Sequence, residues 1–223
     1  MNEFQHFTEH TLQELALVFM AIVYTLRIRW LLKFKAGKER QPQTGLLGTT
    51  KKKGIIYSWA NIAMPWAMES TRTKMFIYTQ FVLFHIGVTV AIALSFVIPY
   101  IPSLLSVPYV IIITQVITGL ACLIGIVRII RRVGDKHMRA ISTPDDYFSL
   151  ILLTVWFFFA TLSVPNNGGW IQSTYFILTA FFLIYVPFSK ISHYLYYPFT
   201  RYYFGKTMGY RGTYQIKRVS EPR

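Results

Sequence analysis

Apolar residues gather along this chain in five long blocks, at about Leu12–Leu32, Phe76–Ile101, Val107–Ile130, Phe148–Leu162 and Ile171–Ser189. Each approaches the roughly 20 residues that a helix needs to cross a bilayer core. The fourth is short at its apolar centre, and Tyr147 and Val164 are needed to extend it. A backbone in lipid has to satisfy its own hydrogen bonds, so the blocks predict helices. The expected fold is an all-α integral membrane protein of five transmembrane helices, arranged as a four-to-five-helix bundle. Polar punctuation supports the boundaries. Pro99 and Pro102 close the second block, which a short turn joins to the third as a tight hairpin. Ser142-Thr143-Pro144-Asp145-Asp146 reads as a cap, a first-turn proline and acids on the positive helix end, so it starts the fourth helix. Pro165-Asn166-Asn167-Gly168-Gly169 is a turn between the fourth and fifth.

Composition agrees with that reading. Of 223 residues, 53% are hydrophobic and 14% charged, against about 25% charged in soluble domains. The net charge of +14 could suggest nucleic acid, but its distribution argues for a membrane. Eleven of the 23 Lys and Arg lie between Arg27 and Lys74, five between Arg128 and Arg139, and seven from Lys190 onward. None falls in the N-terminal stub, the 102–106 turn or the 163–170 turn. By the positive-inside rule the N-terminus, with Glu3 and Glu9, is outside and the C-terminal tail is cytoplasmic. That predicts a multi-pass membrane protein; a prokaryotic inner membrane is its expected location. The first helix lacks a preceding basic stretch and a small-residue cleavage site, so it reads as a retained anchor.

Residues 1–200 are expected to form the transmembrane domain and 201–223 a cytoplasmic tail. Within the former, Lys51–Lys53 precede an apolar and aromatic stretch with Tyr57, Trp59 and Trp66. Segment 51–70 suits an interfacial helix lying along lipid headgroups, with Pro65 kinking or ending it. The tail opens with Tyr194, Tyr196, Tyr197, Tyr202 and Tyr203 interleaved with Arg201 and Lys206. It reads as an aromatic belt or as a docking surface for a soluble partner.

Candidate chemistry centres on histidine. His85 lies inside the second apolar block, and His193 follows the fifth. An ionisable ring in lipid is expensive and normally faces a partner inside the protein. Two readings stand open from the residues alone: each His bonds to a neighbouring helix, or both ligate one iron as in a b-type haem. Gly87, beside His85, would let a flat macrocycle or another helix approach. For a haem, Arg131, Arg132, Arg139, Ser142 and Thr143 are candidates to hold the propionates. Each ligand ring should donate its second nitrogen to a carbonyl or hydroxyl. The depth mismatch between His85 and His193 shrinks if the second helix begins in the headgroups, with Lys74 snorkelling, and if the fifth continues through Tyr197 to Pro198. His6 and His10, in the N-terminal stub, and His137, in a loop, are weaker metal candidates. Cys122 is the only cysteine, so an iron–sulfur cluster ligated by cysteine belongs to another subunit.

Three stretches resemble the gamma subunit of respiratory nitrate reductase and its haem-b relatives, which include subunits of heterodisulfide-reductase-like and sulfite-reduction-linked complexes. They are Leu83-Phe84-His85-Ile86-Gly87, the segment from Arg131-Arg132 to Arg139-Ala140-Ile141-Ser142-Thr143-Pro144, and Pro187-Phe188-Ser189-Lys190-Ile191-Ser192-His193. The resemblance implies a membrane cytochrome b subunit that passes electrons between menaquinone or ubiquinone and a cytoplasmic iron–sulfur subunit. That partner would be of the heterodisulfide-reductase-like or nitrate-reductase-beta-like type. It implies one haem b, with His85 and His193 as the axial ligands to iron. Two-haem members carry a second histidine pair, at positions filled here by Ser95 and Tyr175, so the outer haem is expected to be lost. Tyr78, Gln80, Thr89, Gln115 and Tyr175 are candidates for a quinone site. The alternative from another class is a haem-free membrane anchor or small transporter subunit.

Overall fold

The computed structural model describes residues 3–34, 37, 50–67 and 69–208. Among these the chain is helical, with no strand. Five helices are long and apolar enough to cross a membrane: Glu3–Lys33, Met75–Tyr100, Pro108–Gly134, Pro144–Ser163 and Gly169–Phe188. They are called the first to fifth helices below. Two compact units divide the chain, one from Met1–Ile28 with Thr79–Ile191, the other from Arg29–Tyr78 with Ser192–Arg223.

In the first unit, small residues set the helix spacing. A Cβ on Gly87 of the second helix would lie 2.3 Å from the Ala121 Cβ of the third. A Cβ on Gly125 would lie 2.3 Å from Thr154 Oγ1 of the fourth. Where lipid tails are as apolar as leucine, such close approach and interhelical hydrogen bonds hold helices together. Trp156 Nε1 donates to Thr179 Oγ1 at 2.8 Å, tying the fourth helix to the fifth. Half of the apolar stretch of the fifth helix is buried, against 11% of the first. The fifth helix is therefore the core of this unit, and the first exposes Val18, Ile22 and Leu26.

Two boundaries, those of the first and fifth helices, depart from the sequence reading, while the start of the fourth agrees with its predicted cap. The first helix begins at Glu3 rather than Leu12, because the presumed stub winds through a single π-helical turn at Phe7–Thr11. That turn buries Glu9, which accepts from Gln5 Nε2 and Gln172 Nε2, each at 2.8 Å. The fourth helix starts at Pro144, where a full capping box pairs Thr143 with Asp146. The fifth does not run on to Pro198. Its α-helical part ends at Tyr185, a 3₁₀ turn at Val186–Phe188 follows, and Ser189 is extended. Pro187 has no N–H to continue the ladder.

In the second unit, helix Lys51–Ala60 is capped by Thr50, whose Oγ1 accepts from Lys53 N. It ends through a 3₁₀ turn at Asn61–Ala63 before Pro65, as a following proline disfavours further helix. Helix His193–Thr207 packs against it. A Cβ on Gly205 would lie 2.4 Å from Ile55 Cα, so only glycine permits this crossing. Trp59 Nε1 donates to Pro198 O at 3.1 Å and fixes the other end. Residues 209–223 of the expected tail lie outside the described residues.

Candidate functional site

His85 sits on the flank of the second helix. The buried stripe of that helix runs through Phe84, Gly87, Ala91 and Leu94, and His85 beside it is half-buried. Its Nδ1 lies 2.7 Å from the Phe81 carbonyl oxygen, one turn earlier. A carbonyl oxygen only accepts, so Nδ1 carries a proton, and in the neutral ring Nε2 then carries the lone pair. This is the arrangement that orients a ligating imidazole, because the ligand nitrogen is chosen by the bond the other nitrogen makes. The ring lies 4.2 Å from that of Phe81 and 6.1 Å from that of Phe84, centroid to centroid. Gly87 is occupied by the third helix at Ala121, so of its two expected uses the structure takes helix packing.

His193 belongs to the second unit. It is exposed and opens the His193–Thr207 helix, rather than ending the fifth as the sequence reading had it.

The candidate propionate residues serve largely as a capping lattice. Arg132 Nη1 donates to Ser142 Oγ at 2.8 Å and lies 3.8 Å from Asp146 Oδ2. Ser142 Oγ donates in turn to Met138 O. Thr143 N and Oγ1 both donate to Asp146 Oδ2 at 2.8 Å, and Lys190 Nζ reaches the same carboxylate at 2.9 Å. Asp145 accepts from Tyr185 Oη in a short hydrogen bond. Arg139 Nη1 donates to Val133 O at 2.6 Å. The structure thus brings Arg132, Ser142 and Thr143 into one network that joins the ends of three helices, with Arg139 bonded to the third helix nearby. Arg131 is exposed. Asp135 caps the short helix Lys136–Ala140. The backbone N–H of His137, ahead of that of Met138, holds its carboxyl below the usual range.

The Ser95 and Tyr175 level is closed. Tyr175 is fully buried and donates its hydroxyl to Ala91 O at 2.5 Å, with the Ser95 hydroxyl beside the phenol. Other quinone-site candidates also bond to backbone. Tyr78 Oη donates to Ile62 O at 2.8 Å, Thr89 Oγ1 to His85 O at 3.1 Å, and Gln115 Nε2 to Thr161 O at 3.4 Å. Gln80 is half-buried. His6 and His10 stack at 4.8 Å. Among the described residues, no three His, Cys, Asp or Glu side chains gather to hold a bare metal ion. A porphyrin-held iron needs only axial donors from the protein, and the donor chemistry at His85 fits that group.

Two polar features, a Glu9–Gln172 pair and Arg128, escaped the sequence reading. Glu9 and Gln172 meet across the first and fifth helices. Arg128, counted there only as charge, lays its guanidinium over the Phe84 ring at 5.0 Å.

No protein-family model matches this chain, and neither does any curated protein or solved structure at the level required of a relative.

Proposed function

We propose that this protein is a membrane cytochrome b subunit, with its N-terminus outside and its tail cytoplasmic. It would transfer electrons between the quinone pool and a cytoplasmic iron–sulfur subunit of an oxidoreductase. The observation that carries the reading is His85 on an apolar helix, its ring oriented by the Nδ1–H that donates to Phe81 O. His85 and His193 would hold one haem b, which supplies one-electron chemistry when bound. The residues do the rest. Phe81 fixes the ring of His85, and the packed second, third and fourth helices exclude water around Phe84 and Phe157 (rings 5.2 Å apart). The closed Tyr175 level supports a single haem, because a side chain fills the place of the second ligand pair. The resemblance in the His85, Arg131–Pro144 and Pro187–His193 stretches supports the assignment of partner and quinone.

One observation favours the alternative of a haem-free anchor or small transporter subunit: the Asp146 lattice satisfies Arg132, Ser142 and Thr143 internally. Absorption spectroscopy of the purified protein decides between them. The cytochrome reading expects b-type Soret and α bands in the reduced-minus-oxidised spectrum. It expects their loss in His85→Ala and in His193→Ala. A colourless preparation, made with haem in ample supply, rejects it.

A further inference from the structure

We infer that Arg128 is the charge partner of the carboxylate edge of the haem at His85, an inference that rests on the cytochrome reading. Arg128 is half-buried, in a helix long and apolar enough to cross a membrane. Its guanidinium packs on the Phe84 face at 5.0 Å, and Phe84 immediately precedes His85, with 6.1 Å between the two rings. One contact therefore carries the cation to the level of the candidate ligand. A ring face attracts a cation but does not neutralise it.

The charged neighbours of Arg128 on its own helix are Arg131 and Arg132, of the same sign. The carboxylates of the first unit are engaged elsewhere. Glu9 accepts from Gln5 and Gln172, Glu14 from Tyr100, and Asp135 from two backbone N–H groups. Asp145 accepts from Tyr185, and Asp146 from Thr143 and Lys190. Glu3 is exposed at the start of the first helix. Among the described residues, none pairs with Arg128. A half-buried cation in an apolar helix is costly without an anion, and among the described residues none supplies one. A haem carboxylate and a lipid phosphate share the required chemistry. The adjacent imidazole selects the haem, since only that ligand engages both groups.

The test is a redox titration of the full-length haem-loaded chain. It is run in detergent stripped of phospholipid and again in nanodiscs containing phosphatidylglycerol. Arg128→Gln is expected to keep a b-type spectrum and to lower the midpoint potential in both media. A positive charge near the iron favours the reduced form, and its loss should change the redox equilibrium about tenfold, or about 59 mV for one electron. Arg128→Lys should recover most of the shift, and Arg131→Gln should give a clearly smaller one. If Arg128→Gln loses haem altogether, retention in Arg128→Lys counts for the proposal and equal loss counts against it. An unmoved potential overturns it, as does an equal shift in Arg131→Gln. A shift confined to the nanodiscs assigns Arg128 to lipid and overturns it too. A colourless wild type defeats both this inference and the cytochrome reading, whereas a coloured wild type with an unmoved Arg128→Gln potential defeats this inference alone.

Discussion

The second helix meets two different surroundings at its two levels. Around Ala91 and Ser95 the protein fills its own space: Tyr175 is fully buried and its hydroxyl is spent on a backbone carbonyl. Around His85 the chain presents a fixed imidazole and, one residue away, a guanidinium on the Phe84 ring with no acidic partner among the described residues. The first level is complete as it stands, and polar groups there act as packing. At the second level the imidazole is oriented, and no carboxylate among the described residues pairs with the guanidinium. On the cytochrome reading proposed above, that contrast would direct the haem to one level and not the other.

The comparison can be broken at either level. The largest effect is expected from His85→Ala, with complete loss of the b-type difference spectrum, while Tyr175→Phe leaves that spectrum at full intensity. Loss of the bands in Tyr175→Phe would mean that the closed level also serves the cofactor. Tyr175→Ala removes a core aromatic side chain and should cost about 3–5 kcal/mol of stability, read as a lower thermal midpoint in detergent. Gly87→Ala forces apart the second and third helices, whose Cβ contact would be 2.3 Å, at about 1–3 kcal/mol for an overpacked core. Tyr175→Phe should cost only about 1 kcal/mol, the net worth of one hydrogen bond.

The smallest effect lies outside both levels, at Asp135, whose carboxyl is held below its usual value. A depressed carboxyl contributes stability above its unfolded pKa, about 3.9, and loses it as pH falls through the folded value. Protection of the His137 and Met138 amides should therefore drop below about pH 4 in wild type. In Asp135→Asn it should stay flat, and a matching drop there would remove Asp135 as the cause.

Much of the scaffold was legible because its causes are local. Five apolar blocks became five long apolar helices, and the Thr143–Asp146 capping box formed where four consecutive residues demanded it. The first helix ran nine residues further than expected, since burial of Glu9 draws on the distant Gln172 as well as on Gln5. His193 was placed at the end of the fifth helix, but Pro187 and extended Ser189 interrupt the ladder, and His193 starts another helix in the second unit. The Arg and hydroxyl set was legible as a cluster, yet its use was not. Asp146 and Lys190, 44 residues apart, decide that it caps helices.

Hydropathy and charge order along the chain were sufficient for the helix count, since lipid-crossing length and backbone hydrogen bonding depend on near neighbours alone. Which polar side chains are consumed by packing was decided only in three dimensions. A hydroxyl, an amide or a guanidinium is satisfied or stranded by what another helix brings to within about 3 Å of it. For Tyr175 that partner is the Ala91 carbonyl. For Arg128, among the described residues, it is an aromatic face and no carboxylate.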